Sequence, residues 1–220
     1  MLEKLDLNKK LVKDEYNKAM DILGEKLGEV QRKAREAKRP IIIAFEGWRG
    51  ARRSTIINKI MQQMDARGFN VFSSVKMSDE ERTMPFFTYF WQHLPPKGHI
   101  VVYHRSWYYL KNECDIEFRK EKDKWLNTSF DHINNFEKEL TDDNYILLKF
   151  FLHISEKQQA ENLAKNYKTL GKAWKRFLRR MMKAASTKSI LNGTKKCWKR
   201  RIQLTHPGIL LLLTMHAAPR

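Results

Sequence analysis

Residues 40–44, Pro-Ile-Ile-Ile-Ala, run directly into Phe45-Glu-Gly-Trp-Arg-Gly-Ala-Arg-Arg-Ser-Thr55 and then into Ile56-Ile-Asn-Lys-Ile-Met61. A continuous apolar run of this length has no polar face, so it belongs in the middle of a sheet covered on both sides. The glycines and the helix-like segment after it make a strand, a turn and a helix start. That order is the layout of a phosphate-binding loop, G-x-x-x-x-G-K-[ST]. The window Gly47–Ser54 keeps the first glycine and the final hydroxyl, with Arg52 and Arg53 at the second glycine and the lysine. On these residues alone, an ordinary strand-to-helix turn with Ser54 as N-cap is an equal reading.

The rest of the chain repeats the alternation. Apolar residues at helical spacing predict a long amphipathic helix over 11–38. Strands are expected at 41–45, 69–72, 100–103 and 145–152. Between them, a helix from about Ser54 ends near Asp65–Gly68, with Gly68 as its cap. Ser78 and Glu81 form a capping box that opens a helix through Trp91. Further helices cover 127–140 and 155–168. Strands alternating with helices imply a three-layer α/β/α fold around a parallel sheet, whose ligands bind at the carboxyl ends of the strands. Gly47–Thr55 and His104–Tyr108 both fall there.

Several stretches are similar to the polyphosphate kinase 2 family: IIIAFEGWRGARRSTI, LDLNKKLVKDEY, MDARGFNVF, DEERTMPFFTYFWQHLPPKGHIVVYHRSWY, INNFEKEL and LLKFFLHISEKQQ. The resemblance is collinear from residue 1 to about Trp174. It implies a P-loop kinase-like fold that moves phosphoryl groups between inorganic polyphosphate and nucleoside mono- or diphosphates such as AMP and ADP, using Mg²⁺. It also implies that Gly47, Gly50, Ala51, Arg52, Arg53, Ser54, Thr55 and Arg105 line the phosphate site, with Arg53 and Arg105 as its working cations. The family's loop, E-G-x-D-A-A-G-K-G, puts an aspartate at Arg49. Its D-R-S-W-Y puts another at His104, while Arg105, Ser106, Trp107 and Tyr108 match. Two family arginines fall on Met84 and Tyr89, and of the arginines after Tyr108 at most Lys111 remains.

These departures bear on chemistry. Magnesium takes hard oxygen ligands. Arg49 reverses the charge of one expected ligand, and His104 is a poor substitute for the other, so no metal ligand is assigned. Arg53 keeps a cation but presents a planar fork in place of a point charge. Arg52 puts a Cβ into the turn, which costs about 1–2 kcal/mol if its φ is positive. Anion attraction survives such changes, and metal-assisted transfer is expected to be impaired. His104 also reads as a solvated strand-end residue. Trp91, Trp107 and the Phe86-Phe87 pair read as core, and Arg105 as touching phosphate or a buried carboxylate.

The net charge of +18 suggests an anionic partner, but it is unevenly spread. Residues 175–220 hold 12 Lys/Arg and no Asp or Glu, leaving 31 basic and 25 acidic residues elsewhere. Past Trp174 the resemblance stops. Shifting the reading frame across Asn192–Gly208 permits W-Y-E-E-M-L-E-K-T-N-T-A-Y-A-P-W, close to the family's acidic last helix and the segment after it. The junction Cys197/Trp198 then must give Leu, and Trp198/Lys199 must give Glu. The expectation is therefore a domain over 1–174, truncated at its C-terminal side and lacking its last strand. Residues 175–220 are expected to be an out-of-frame tail, and their clusters Lys195-Lys196 and Lys199–Arg201 not a nucleic-acid patch. Cys114 and Cys197 fit neither a disulfide framework nor a metal site. The start, MLEKLDLNKK, lacks the apolar core of a signal peptide, and Ile209–Leu213 is too short to span a bilayer, so the expected location is the cytoplasm. Besides phosphoryl transfer, two other functions are open: a non-catalytic polyphosphate-binding or partner domain, such as the degenerate half of a fused phosphotransferase, and a basic nucleic-acid binder. The resemblance also leaves room for a homo-oligomer.

Overall fold

The structure, a computed structural model, describes residues 12–74, 78–111, 129–169 and 209–214. The clusters Lys195-Lys196 and Lys199–Arg201, both cysteines and the chain start lie outside them. Five strands form one parallel sheet in the order β2-β3-β1-β4-β5: β1 Ile41–Gly47, β2 Phe69–Phe72, β3 Ile100–His104, β4 Ile146–His153 and β5 Ile209–Thr214. The central strand β1 is paired on both sides, with Phe45 opposite His104 of β3 and Gly47 opposite Leu152 of β4. Double-sided burial explains its sequence, because Ile41 through Phe45 are all buried.

Helices α1 (Lys13–Glu36) and α2 (Arg53–Met61) cover one face, where Ile41, Ile43, Phe45, Ile57, Met64, Ile100 and Val102 make one core cluster. On α1, Gln31 makes two hydrogen bonds to the backbone of Asp65, at 2.8 and 2.9 Å. The other face carries α4 (Thr88–Gln92), which follows the short α3 (Asp79–Thr83), the helical residues 107–111 (α5) and α6 (Phe130–Asp142) over an aromatic core around Phe90, Tyr103 and Trp107. Helix α7 (Glu156–Thr169) follows β4.

Four expectations are corrected. The helix expected from Ser78 to Trp91 does open with the Ser78–Glu81 capping box, but it breaks in two. Pro85 supplies no N–H and pushes Met84 out of the helical region, to φ −83° and ψ 159°. Helix α2 stops at Met61, and Gly68 belongs instead to a short 3-10 turn, Ala66–Gly68, that leads into β2. Ser54 is not the N-cap of α2, a place taken by Arg52. Finally, the sheet does not end at β4. Ile209–Thr214, a short apolar run, lies parallel to β4 with Leu148 opposite Ile209 and His153 opposite Thr214. An apolar strand of this length satisfies the backbone edge that β4 would otherwise expose, whatever the origin of the segment before it.

Candidate phosphate-binding site

The loop after β1 is built backwards from its acceptors. Gly47 has φ 140°, and a Cβ there would lie 2.5 Å from the carbonyl oxygen of Leu152, so only glycine lets β1 run this close to β4. Beyond it, Trp48 donates its amide to the Leu152 carbonyl (3.2 Å) and its indole N–H to Nδ1 of His153 (2.6 Å). Helix α7 then holds the outer turn. Gln159 Nε2 donates to the carbonyl of Arg49 and Asn162 Nδ2 to that of Gly50, both at 2.9 Å. With its carbonyls tied to Arg53 and α7, and Trp48 tied to β4, the loop leaves N–H groups over: the amides of Gly50, Arg52 and Ser54 donate to no described group. The Ala51 amide is used inside the loop, on the Trp48 carbonyl, and that of Thr55 on Arg52. Open amides at the first turn of a helix make an anion-binding concavity.

Four arginines belong to this loop or to the turn after β3. Arg52 does sit in the left-handed region, φ 54° and ψ 36°, so the strain expected for a side chain there is present. Arg53 is only 8% exposed. It donates to the Gly47 carbonyl (3.0 Å) and lies 4.0 Å from Glu46, so its guanidinium braces the loop from beneath. Arg49 is half-buried on the outer turn. Arg105, at φ 78°, follows β3, with its amide on the Phe45 carbonyl and its own carbonyl accepting from Ser74 Oγ. Its Nη1 donates to the Tyr109 hydroxyl (2.9 Å) and the guanidinium lies 4.3 Å over that ring. Its buried Nε has no hydrogen-bond partner among the described residues. Its neighbour Ser106 is held by Glu46, which accepts from both the amide (2.8 Å) and the hydroxyl (2.7 Å) of that serine.

His104 is half-buried, which corrects the reading of a solvated strand-end residue. Its Nε2 lies 3.5 Å from Ser54 Oγ. Burial, with Arg53 and Arg105 close by, pushes its pKa down to about 4 from an ordinary 6.5. The folded protein therefore binds this proton less readily than the unfolded chain. The resulting stability is present above about pH 6.5 and is lost as pH falls from there through 4. His104→Asn should flatten the fall in melting temperature between pH 7 and 4.5, and an unchanged slope would refute this role.

Beneath α5, Glu137 of α6 is 4% exposed and accepts from Trp107 Nε1 (3.1 Å), the Tyr108 hydroxyl and Lys149 Nζ (2.8 Å). Burial pushes its carboxyl pKa up, against the pull of Lys149. Three donors and no other role make this carboxylate the anchor of the turn that carries Arg105 and Ser106. Trp107 and Phe86 are core as expected, whereas Trp91 is 44% exposed, edge-on to Phe136. Lys111 lies 5.9 Å over the Phe130 ring.

A parallel sheet with helices on both faces, and a glycine loop opening its central strand onto a helix, defines a P-loop kinase-like protein. Its relatives place it more closely. The family model described as Polyphosphate kinase 2 matches residues 10–184, and the chain belongs to that family. It is 33% identical over 176 residues to a polyphosphate:AMP phosphotransferase of Pseudomonas aeruginosa, which covers 80% of this chain and 35% of the relative. It is 32% identical over 143 residues to an ADP-polyphosphate phosphotransferase of Rhizobium meliloti, covering 63% of this chain and 45% of the relative. A solved structure assigned to polyphosphate kinase 2 from Pseudomonas aeruginosa PA01 superposes with a TM-score of 0.84 at 25% identity, over 97% of this chain and 45% of that one. The polyphosphate kinase 2 structure from Arthrobacter aurescens TC1, at 19% identity and TM-score 0.82, supports the fold, over 97% of this chain and 78% of that one. The chain thus spans about a third of the length of the first of these relatives.

Kinases of this family are in general Mg²⁺-dependent. The described residues do not fit the ion. Glu46 is buried and committed to Ser106 and Arg53, while Arg49 and His104 offer no carboxylate. Among the described residues no group of three or more His, Cys, Asp or Glu comes together. No helix among them is long and apolar enough to cross a membrane.

Proposed function

We propose that this chain binds the phosphates of inorganic polyphosphate, and of AMP or ADP, in the cradle after β1, and that it transfers phosphoryl groups poorly. The observation that carries this reading is the imbalance of the site. Arg49, Arg52 and Arg53 belong to the loop that holds the open amides and Arg105 to the adjoining turn, and among the described residues the buried carboxylate at the strand ends, Glu46, is turned inward to Ser106. Such a site attracts phosphate oxygens. Phosphoryl transfer asks more, because charge on the moving group must be neutralised in line, a task P-loop enzymes share with a metal ion. The names of the relatives support the substrate class: polyphosphate with AMP in one, polyphosphate with ADP in the other.

Formation of ADP from polyphosphate and AMP should be at least about 100-fold slower than for the Pseudomonas aeruginosa phosphotransferase assayed beside it. Comparable turnover that vanishes in Arg53→Ala would show a working enzyme. A tighter match to nucleic acid than to polyphosphate would favour the basic-binder reading.

A further inference from the structure

We infer that the cradle takes the phosphate chain as a bare polyanion and that Mg²⁺ competes with the protein for it. This rests on the polyphosphate reading above and goes beyond it by fixing the ionic form of the ligand. The observation is that the loop carbonyls and the Glu46 carboxylate are used while donors remain. The carbonyl of Gly47 accepts from Arg53, that of Arg49 from Gln159 and that of Gly50 from Asn162. Both bonds from Ser106 fall on one oxygen of Glu46, and the other faces Arg53. A divalent cation entering with its ligand needs hard oxygens to replace lost waters, and here the loop carbonyls and Glu46 must first give up a hydrogen bond, leaving neutral hydroxyls such as that of Ser54 with no described carboxylate beside them.

The donors show the reverse. Among the described residues, the amides of Gly50, Arg52 and Ser54 are open and the buried Nε of Arg105 has no acceptor. A buried donor of this kind has a use when an oxygen arrives. His104 adds no carboxylate beside Ser54, and Arg53 and Arg105 near it oppose any further positive charge. Each Mg²⁺ on the chain would remove negative charge and phosphate oxygens that these groups need.

The full chain is to be titrated with fluorescently labelled inorganic polyphosphate at fixed ionic strength, once with a chelator and once with millimolar Mg²⁺. Binding should weaken about threefold or more with Mg²⁺, as charge-driven association does when the polyanion is neutralised. Equal or tighter binding with Mg²⁺ overturns the inference and leaves the polyphosphate reading standing. No binding in either buffer removes both. His104→Asp supplies a second measurement, since it sets a carboxylate beside the Ser54 hydroxyl, the pairing by which P-loop enzymes hold the ion. The Mg²⁺ effect should shift toward tightening in this variant. An identical Mg²⁺ response in the two proteins overturns the assignment of the exclusion to this corner.

Discussion

Gly47→Ala should destabilise the domain by about 3 kcal/mol or more, while Gly50→Ala should cost only about 1–2 kcal/mol. Both glycines have positive φ, 140° and 83°, so both variants carry backbone strain. They differ in what the new methyl group meets. At Gly47 it would lie 2.5 Å from the Leu152 carbonyl oxygen and 2.9 Å from the Leu152 amide nitrogen, main-chain atoms of the neighbouring strand that cannot swing aside. At Gly50 the nearest atoms, on Gln159 and Leu163, lie at 3.4 Å, a contact that small shifts relieve. A loss of about 3 kcal/mol is a large share of the 5–15 kcal/mol that holds a domain together. Urea denaturation of both variants measures the difference. Equal losses would mean that the approach of β1 to β4 does not constrain this turn. Because Trp48 bonds to the same carbonyl of Leu152, Gly47→Ala should also weaken polyphosphate binding under conditions where it remains folded.

The strand–turn–helix order was legible because burial on both faces of β1 writes itself as an unbroken apolar run. The loop arginines and His104 were found for a similar reason: their place in a short, ordered motif fixes where the backbone puts them. Glu46 was not found, although it stands in the same motif, since a carboxylate at a strand end reads as solvent-facing until β3 supplies the Ser106 donors. Gln159 and Asn162 were equally hidden. On α7 they look like an ordinary polar face, and only the packing of that helix against the loop turns them toward its carbonyls. The break between α3 and α4 was readable from Pro85 and was overridden by a good capping box upstream. A shifted frame makes residues 175–220 read as foreign to the fold, but an apolar run such as Ile209–Leu213 pairs with an open parallel edge on its own chemistry.

Glu137→Ala should cost about 3–5 kcal/mol, the expense of leaving a buried charge without its partner. Three side chains donate to this carboxylate, so the variant strands Lys149 Nζ together with the Trp107 indole and the Tyr108 hydroxyl. A second variant separates this from a loss of packing. In Glu137→Leu with Lys149→Met both charges are gone and most of the volume is kept, and such replacements of buried pairs are often neutral or better. The double variant should therefore recover most of the lost stability. It should not recover polyphosphate affinity to the same degree, because Trp107 and Tyr108 also anchor the turn that aims Arg105, and an aliphatic side chain cannot accept their hydrogen bonds. Thermal melts and polyphosphate titrations of the parent and both variants test this. If stability and affinity return together in the double variant, Glu137 serves the core alone and has no part in positioning Arg105.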